Sequence, residues 1–203
     1  MNEEKARFFD AQATAPWADR DYGPDEAAKL ARLLGLLPGL WRARVLEPGC
    51  GAGRLTLELA RAVGPGGRIT ALDISAGMTA RARERLAGHP GVTVRTAALE
   101  DLGPDCGAPF DIAVCHQVFP HFDDQPAALA RLAGLLRPGG TLVVSHFITR
   151  AQVNDVHRKA GTAVERDLLP DEAGMRRMLD EAGFAVRSLE DDDLGYYLAA
   201  ERG

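Results

Sequence analysis

The chain has 203 residues, of which 46% are hydrophobic, and a net charge of −5 with acidic and basic residues intermixed. That length suits one domain with a full core, and the mixed charge disfavours a nucleic-acid surface, which needs a basic patch. The N-terminus leads into no apolar signal region and no apolar run approaches the ~20 residues of a membrane span, so neither a leader nor a membrane partner is expected. Cys50, Cys106 and Cys115 have neither metal nor disulfide spacing, which makes a reduced, cytoplasmic setting the expectation.

Residues 1–24 are polar and irregular apart from the aromatic side chains Phe8, Phe9, Trp17 and Tyr22. They are expected either to fold as a lid over a ligand or to pack as a helix against the body. After Pro24, Leu30, Leu33, Leu34 and Leu37 repeat at helical spacing, predicting a helix over 25–37. A short apolar strand follows at 43–47, then a helix at 53–63 stopped by Gly64-Pro65-Gly66-Gly67. A strand at 68–72 ends in Asp73, and Ser75 is placed to cap a helix running to Leu86. Strands are predicted at 92–96 and 110–115, a helix at 124–136, and a turn at Arg137-Pro138-Gly139-Gly140 before a strand at Thr141–Phe147. The segment 148–170 is rich in polar side chains and is the expected wall of a second binding region. A last helix at 171–182 precedes strands at 184–190 and 195–201, with the acidic run Asp191-Asp192-Asp193 read as a solvated turn between them.

Alternating strands and helices imply an α/β fold with a doubly wound, mostly parallel sheet of seven strands. The final pair breaks the alternation, since strands joined by a short turn are antiparallel neighbours, so one edge of the sheet should carry a reversed strand. Ligands bind such sheets at the carboxyl ends of the strands. Four ends therefore meet at one site: Glu47–Gly53, Asp73, Cys115–His121 and His146–Phe147. Gly49, Gly51 and Gly53 lie at alternate positions in a strand-to-helix bend, where glycine tolerates positive φ and lets the backbone approach a ligand closely. A nucleotide or nucleoside is the natural occupant, with Asp73 about twenty residues on as the carboxylate for ribose hydroxyls.

Taken together, Val45–Gly53, Leu72-Asp73-Ile74-Ser75 with Gly77-Met78, Phe110-Asp111 through Phe119-Pro120-His121-Phe122, Leu136–Gly140 and Ala182-Gly183-Phe184 resemble the ordered motifs of a class I S-adenosylmethionine-dependent methyltransferase. The resemblance is to the branch that includes the ubiquinone/menaquinone-biosynthesis methyltransferases and covers about residues 25–203. It implies a Rossmann-like methyltransferase fold and S-adenosylmethionine as cofactor. By the same resemblance, Glu47, Gly49, Gly51, Gly53, Asp73, Ile74, Met78, Leu99, Glu100, Asp101 and His116 would form the cofactor site. Glu47 would attract the cofactor's ammonium group, and Ile74 and Met78 would sandwich its adenine. One departure stands out: Ala98 occupies a place where the family often has an acidic residue.

Four of the five histidines fall at or near the expected acceptor region: His116, His121, His146 and His157. Three readings of them stay open at this point. His116, His121 or His146 acts as a general base on the acceptor, they bind it by hydrogen bonds, or two or three of the four ligate a metal, for which no tight H-x₃-H pairing exists. The acceptor itself is expected to be a small molecule. Two rival functions also remain. One is a nicotinamide-dependent oxidoreductase, whose fingerprint wants glycine or alanine where Arg54 stands. The other is a non-catalytic sensor or accessory protein that binds S-adenosylmethionine or a metal.

Overall fold

The computed structural model describes residues 2–103 and 105–203, apart from the side chains of Trp17 and Asp19. Trp17 of the N-terminal aromatic set thus lies outside the described residues. The strands are β1 (Arg44–Pro48), β2 (Arg68–Asp73), β3 (Val92–Thr96), β4 (Phe110–His116), β5 (Leu136–His146), β6 (Phe184–Asp192) and β7 (Gly195–Arg202). They form one sheet in the order β3-β2-β1-β4-β5-β7-β6. β1 to β5 pair in parallel, while β7 runs antiparallel to both β5 and β6. The reversal falls at one margin of the sheet, with β7 seated between β5 and the outermost β6.

The helices are α1 (Glu3–Gln12), α2 (Pro16–Asp19), α3 (Pro24–Gly35), α4 (Arg54–Val63), α5 (Ala76–Arg85), α6 (Gln125–Leu135), α7 (Arg150–Lys159) and α8 (Glu172–Glu181). They cover the sheet on two faces because the middle of each central strand is apolar on both sides. In β1, Val45 joins one cluster with Leu33, Leu55 and Leu59, while Leu46 joins the opposite cluster with Leu129, Leu132 and Leu179. Ile112 and Val114 against Ala113 and Cys115 in β4, and Val143 against Leu142 and Val144 in β5, divide in the same way. This is the period-two alternation of a strand buried on both faces.

Two local expectations need correction. Arg137–Gly140 does not form a separate turn, because β5 already begins at Leu136. The extra residues create an irregularity in the β4–β5 register between Phe110 and Ile112. Gly139 takes φ +71° there, and Arg137 Nε donates to Asp111 Oδ1 at 2.7 Å, so the segment is absorbed as a bulge. The acidic run is exposed, as expected, but only Asp193 lies in the turn. Asp191 and Asp192 belong to β6; Asp191 accepts from the Arg150 amide at 2.9 Å and Asp192 pairs with Arg32 at 2.8 Å. The run ties α7 and α3 to the end of the β6–β7 hairpin.

Gly53 closes the glycine bend with φ +80°. A Cβ there would lie 3.2 Å from Ala82 Cα and Cβ and from Leu86 Cδ1, so the residue lets α4 approach α5. Gly53→Ala is expected to lower stability by at least the ~1–2 kcal/mol of a left-handed non-glycine residue. Urea denaturation measures this, and an unchanged midpoint would contradict the packing role.

Candidate active site

The bend between β1 and α4 is held from β2. Cys50 N donates to the Leu72 carbonyl at 2.8 Å, and Gly51 N donates to Asp73 Oδ2, also at 2.8 Å. Asp73 Oδ1 accepts from Ser75 N at 2.9 Å. One carboxylate thus joins the bend to the start of α5 and keeps lone pairs on both oxygens for a further ligand. Burial pushes Asp73 above the usual carboxylate range, against the pull of its Ser75 and Gly51 hydrogen bonds. Gly51, at φ +53°, would meet no atom with a Cβ, since open space lies before it. Gly49 is the opposite case: with φ +69°, its Cβ would fall 2.2 Å from Val118 Cγ2.

Glu47, at the end of β1, is only 2% exposed. Its Oε2 has no hydrogen-bond partner among the described residues. Burial pushes its pKa up to about 8; the Thr56 hydroxyl opposes the rise and the Asp73 charge adds to it. A buried, unpaired carboxylate oxygen is costly, and a cationic ligand group beside it would recover that cost.

A cavity of about 540 Å³ opens over these groups. That lies within the range of small-ligand pockets. Of the eleven residues expected to hold a cofactor, Glu47, Gly49, Gly51, Asp73, Ile74, Met78, Leu99, Glu100 and His116 line it. Gly53 and Asp101 do not. Gly53 is turned to helix packing, and Asp101 is exposed at the end of the 3-10 turn Leu99–Asp101. Met78 combines two roles, reaching the cavity while packing with Ala13, Ala18 and Ala52.

The histidines separate. His116 and His121 line the cavity; His146 and His157 do not. His116 is 8% exposed, its Nδ1 is 2.9 Å from Ser145 Oγ, and its ring lies among Tyr22 and Phe147. Burial, with Arg54 adding, lowers its pKa to about 3, so it is a neutral imidazole at physiological pH. Its Nε2 is buried without a hydrogen-bond partner among the described residues. His146 is held well below its usual value chiefly by burial. It pairs with Tyr196 across the β5–β7 ladder. His121 Nδ1 lies 2.8 Å from Asp167 Oδ2, and its ring packs against Phe9 and His157. Among the described residues, no group of three or more His, Cys, Asp or Glu side chains is placed to hold a metal ion.

Several cavity residues escape motif reading. Asn2, Lys5 and Phe9 bring α1 over the opening, and Tyr22 and Arg54 add a stacked pair, with the guanidinium carbon 4.1 Å from the ring centroid. Lys5 is 5% exposed and reaches Asp123 and Asp167, each at 2.8 Å. Burial alone would lower its pKa; the two carboxylates instead hold it raised. At the other end of α1, Asp10 Oδ1 accepts from Ser75 Oγ at 2.5 Å and Gly77 N at 2.9 Å. A usable sequence signal was present: Asn2 followed by Glu3-Glu4 marks a helix start, and Asn2 Oδ1 does accept from Lys5 N at 3.2 Å. Gln117, another lining residue, adopts φ +56°, a costly conformation for a non-glycine residue that turns the chain sharply between His116 and His121. No residue of 148–170 lines this cavity; the segment stands behind His121.

Residues 45–140 match the family model described as a methyltransferase domain. Over that segment the chain is similar to such a domain. Its relatives include a methyltransferase of Mycobacterium tuberculosis (strain ATCC 25618 / H37Rv), 38% identical over 121 residues, which are 58% of this chain and 57% of that protein. A ubiquinone biosynthesis O-methyltransferase of Xylella fastidiosa (strain 9a5c) is 40% identical over 104 residues, 51% of this chain and 41% of that enzyme. The chain therefore spans only about half the length of the curated relatives it matches. Among solved structures, the magnesium protoporphyrin IX methyltransferase of Synechocystis PCC 6803 with bound SAH superposes with a TM-score of 0.71 at 23% identity, covering 100% of both chains. The N-methyltransferase NodS of Bradyrhizobium japonicum WM9 gives 0.74 at 18% identity, covering 98% of each. The chain thus shares the fold of these solved methyltransferases. Within it, β1, the glycine bend and Asp73 supply one half of the cavity, and β4 with its following 3-10 turn supplies the other.

Proposed function

We propose that this protein transfers the methyl group of S-adenosylmethionine to a small-molecule acceptor bound beside His116 and His121. The observation that carries this reading is the pair of carboxylates at one glycine bend, Glu47 buried and Asp73 half-buried. Glu47 keeps an unpartnered oxygen, and Asp73 keeps lone pairs after accepting from Gly51 and Ser75. An ammonium suits the first and a ribose diol the second. Open space before Gly51 leaves room for the chain joining them. Ile74, Met78 and Leu99 offer apolar surface to a base, with Glu100 at its edge. When bound, the cofactor supplies a methyl group already activated by its sulfonium. Arg54 at the sixth position of the bend, and the absence of a third cavity-lining glycine, count against a nicotinamide oxidoreductase.

The task left to this chain is to align an acceptor and exclude water. Alignment is worth ~7–11 kcal/mol, more than the ~3–5 kcal/mol of a general base. Phe9, Tyr22, Val118 and Phe122 provide apolar walls, and the unpartnered His116 Nε2 is a hydrogen-bonding point for the acceptor. α1 serves as the cover, fixed at Asp123 and Asp167 through Lys5 and at Ser75 and Gly77 through Asp10. Lys5 and Arg54 are each paired with carboxylates, Arg54 with Glu26 at 3.0 Å, so among the described residues both cavity cations are already engaged. Methyl-labelled S-adenosylmethionine, incubated with hydroxyl, amine and thiol small molecules, tests the assignment. Transfer that His116→Ala weakens through the acceptor KM, at unchanged cofactor affinity, is the expected result. A protein that binds the cofactor but transfers its label to no acceptor class would favour the sensor reading.

A further inference from the structure

We propose that Asp167 is the positioning residue that sets His121 as a proton acceptor for the methyl acceptor, with Lys5 and α7 holding Asp167 in place. The inference rests on the methyl-transfer reading and assigns within it a division of labour between the two cavity histidines. His121 and Asp167 lie 46 residues apart, in elements that no motif connects. Asp167 Oδ2 takes His121 Nδ1, while Oδ1 takes Lys5 Nζ, each at 2.8 Å. Lys5 also donates to the His121 carbonyl at 2.9 Å. The backbone carrying Asp167 is fixed from α7. Asn154 donates to the Leu169 carbonyl at 3.0 Å and accepts from Leu169 N at 2.8 Å, and His157 Nδ1 bonds the Asp167 carbonyl. The polar segment after β5 is therefore a scaffold for one carboxylate.

The consequence is chemical. A carboxylate acceptor at Nδ1 places the imidazole proton there and leaves Nε2 as a bare lone pair on a cavity-lining ring. His116 lacks such a partner, since its Nδ1 meets only a hydroxyl among aromatic walls. His116 therefore binds and His121 takes the proton. In the step, the acceptor's X–H bond breaks and its proton moves to His121 Nε2. The electron pair of X forms the bond to the methyl carbon as the carbon–sulfur bond breaks, its pair returning to sulfur. The imidazolium is left against Asp167 and passes its proton to solvent. The charged or titratable groups facing His121 are Asp167, Lys5 and Asp123 around its Nδ1 side, His157 from α7, His146 from β5 and Asp73 from β2.

Imidazole nitrogen NMR of the full chain, free and with S-adenosylhomocysteine, tests this, with His121→Gln assigning the resonance. The expected wild-type signal is an Nδ1–H, bare-Nε2 tautomer. Asp167→Ala should release it toward the Nε2–H form that solvated imidazole prefers, and Asp167→Glu should restore it. Should Asp167→Ala not fold, Asp167→Asn serves: its amide offers either an oxygen or an N–H, so the strict preference is lost. A wild-type Nε2–H tautomer, or one indifferent to Asp167, overturns the inference. With phenol and N,N-dimethylaniline as probe acceptors, turnover of phenol should fall ~10²-fold in the variant. N,N-dimethylaniline, which has no proton to lose, should change by no more than about twofold; equal loss on both probes also overturns the inference. S-adenosylhomocysteine failing to bind the wild-type protein would instead sink the methyl-transfer reading itself.

Discussion

Asp73→Ala is expected to lose measurable affinity for S-adenosylmethionine. Charge-assisted hydrogen bonds to two ribose hydroxyls contribute ~1.5–3 kcal/mol each, so their joint loss weakens binding by roughly 10²–10⁴-fold. The variant also strands the Gly51 and Ser75 amides, which now donate to this carboxylate, and the bend should loosen. Asp73→Asn separates the two effects. It keeps an acceptor for one of the two backbone amides and turns an NH2 toward the other, so its melting temperature should fall less than that of Asp73→Ala while affinity falls through the lost charge. Calorimetry on both variants checks this, and undiminished affinity in Asp73→Ala would contradict the ribose assignment.

Glu47→Gln is expected to make the protein more stable and a poorer binder at once. Glu47 has its pKa raised from 4.5 to about 8 by burial. A carboxyl raised in the folded state prefers its protonated form there. Its contribution is therefore full below the unfolded value and is lost as pH rises through about 8. Free of ligand, the wild-type protein should lose stability across that window, by on the order of 4 kcal/mol at its upper end. A neutral glutamine removes that loss, so Glu47→Gln should melt roughly 8–16 °C higher at pH 9. The same change deletes the anion facing the ammonium and should weaken S-adenosylmethionine ~10–100-fold.

The pH dependence of binding follows from the same residue. Below about pH 8 the carboxyl of Glu47 must release a proton to meet an ammonium. Above the ~7.7–8.0 of an α-amino group, the ligand must regain one. Affinity should peak near pH 8, and methylthioadenosine, which lacks the amino acid, should bind with a flat profile. A peak shared by both ligands would remove Glu47 from the ammonium site.

What the sequence made legible was what short-range periodicity and local motifs encode. The apolar alternation of Val45-Leu46 and of Ile112 to Cys115 locates the central strands because each residue meets a different face. Glu47, Gly49, Gly51 and Asp73 lie within one strand-bend-helix-strand unit, so their spacing nearly determines their meeting. Gly53 packs toward α5 and does not line the cavity, a difference hidden in the sequence because a left-handed glycine reads alike whether it faces a cofactor or the neighbouring helix. The bonds of Lys5 to Asp123 and Asp167, and of His121 to Asp167, span elements with no shared motif, and only folding brings them together. His146 shows the converse: it ends a strand as His116 does, but pairs with Tyr196, because β7 is inserted beside β5.

A calorimetric titration of the wild-type chain with S-adenosylhomocysteine bears most directly on the whole account. One site per chain with micromolar affinity, abolished by Asp73→Ala and weakened by Glu47→Gln, is the predicted outcome. Heats indistinguishable from dilution, or binding that both substitutions leave intact, would mean that the carboxylates at the glycine bend serve some other ligand.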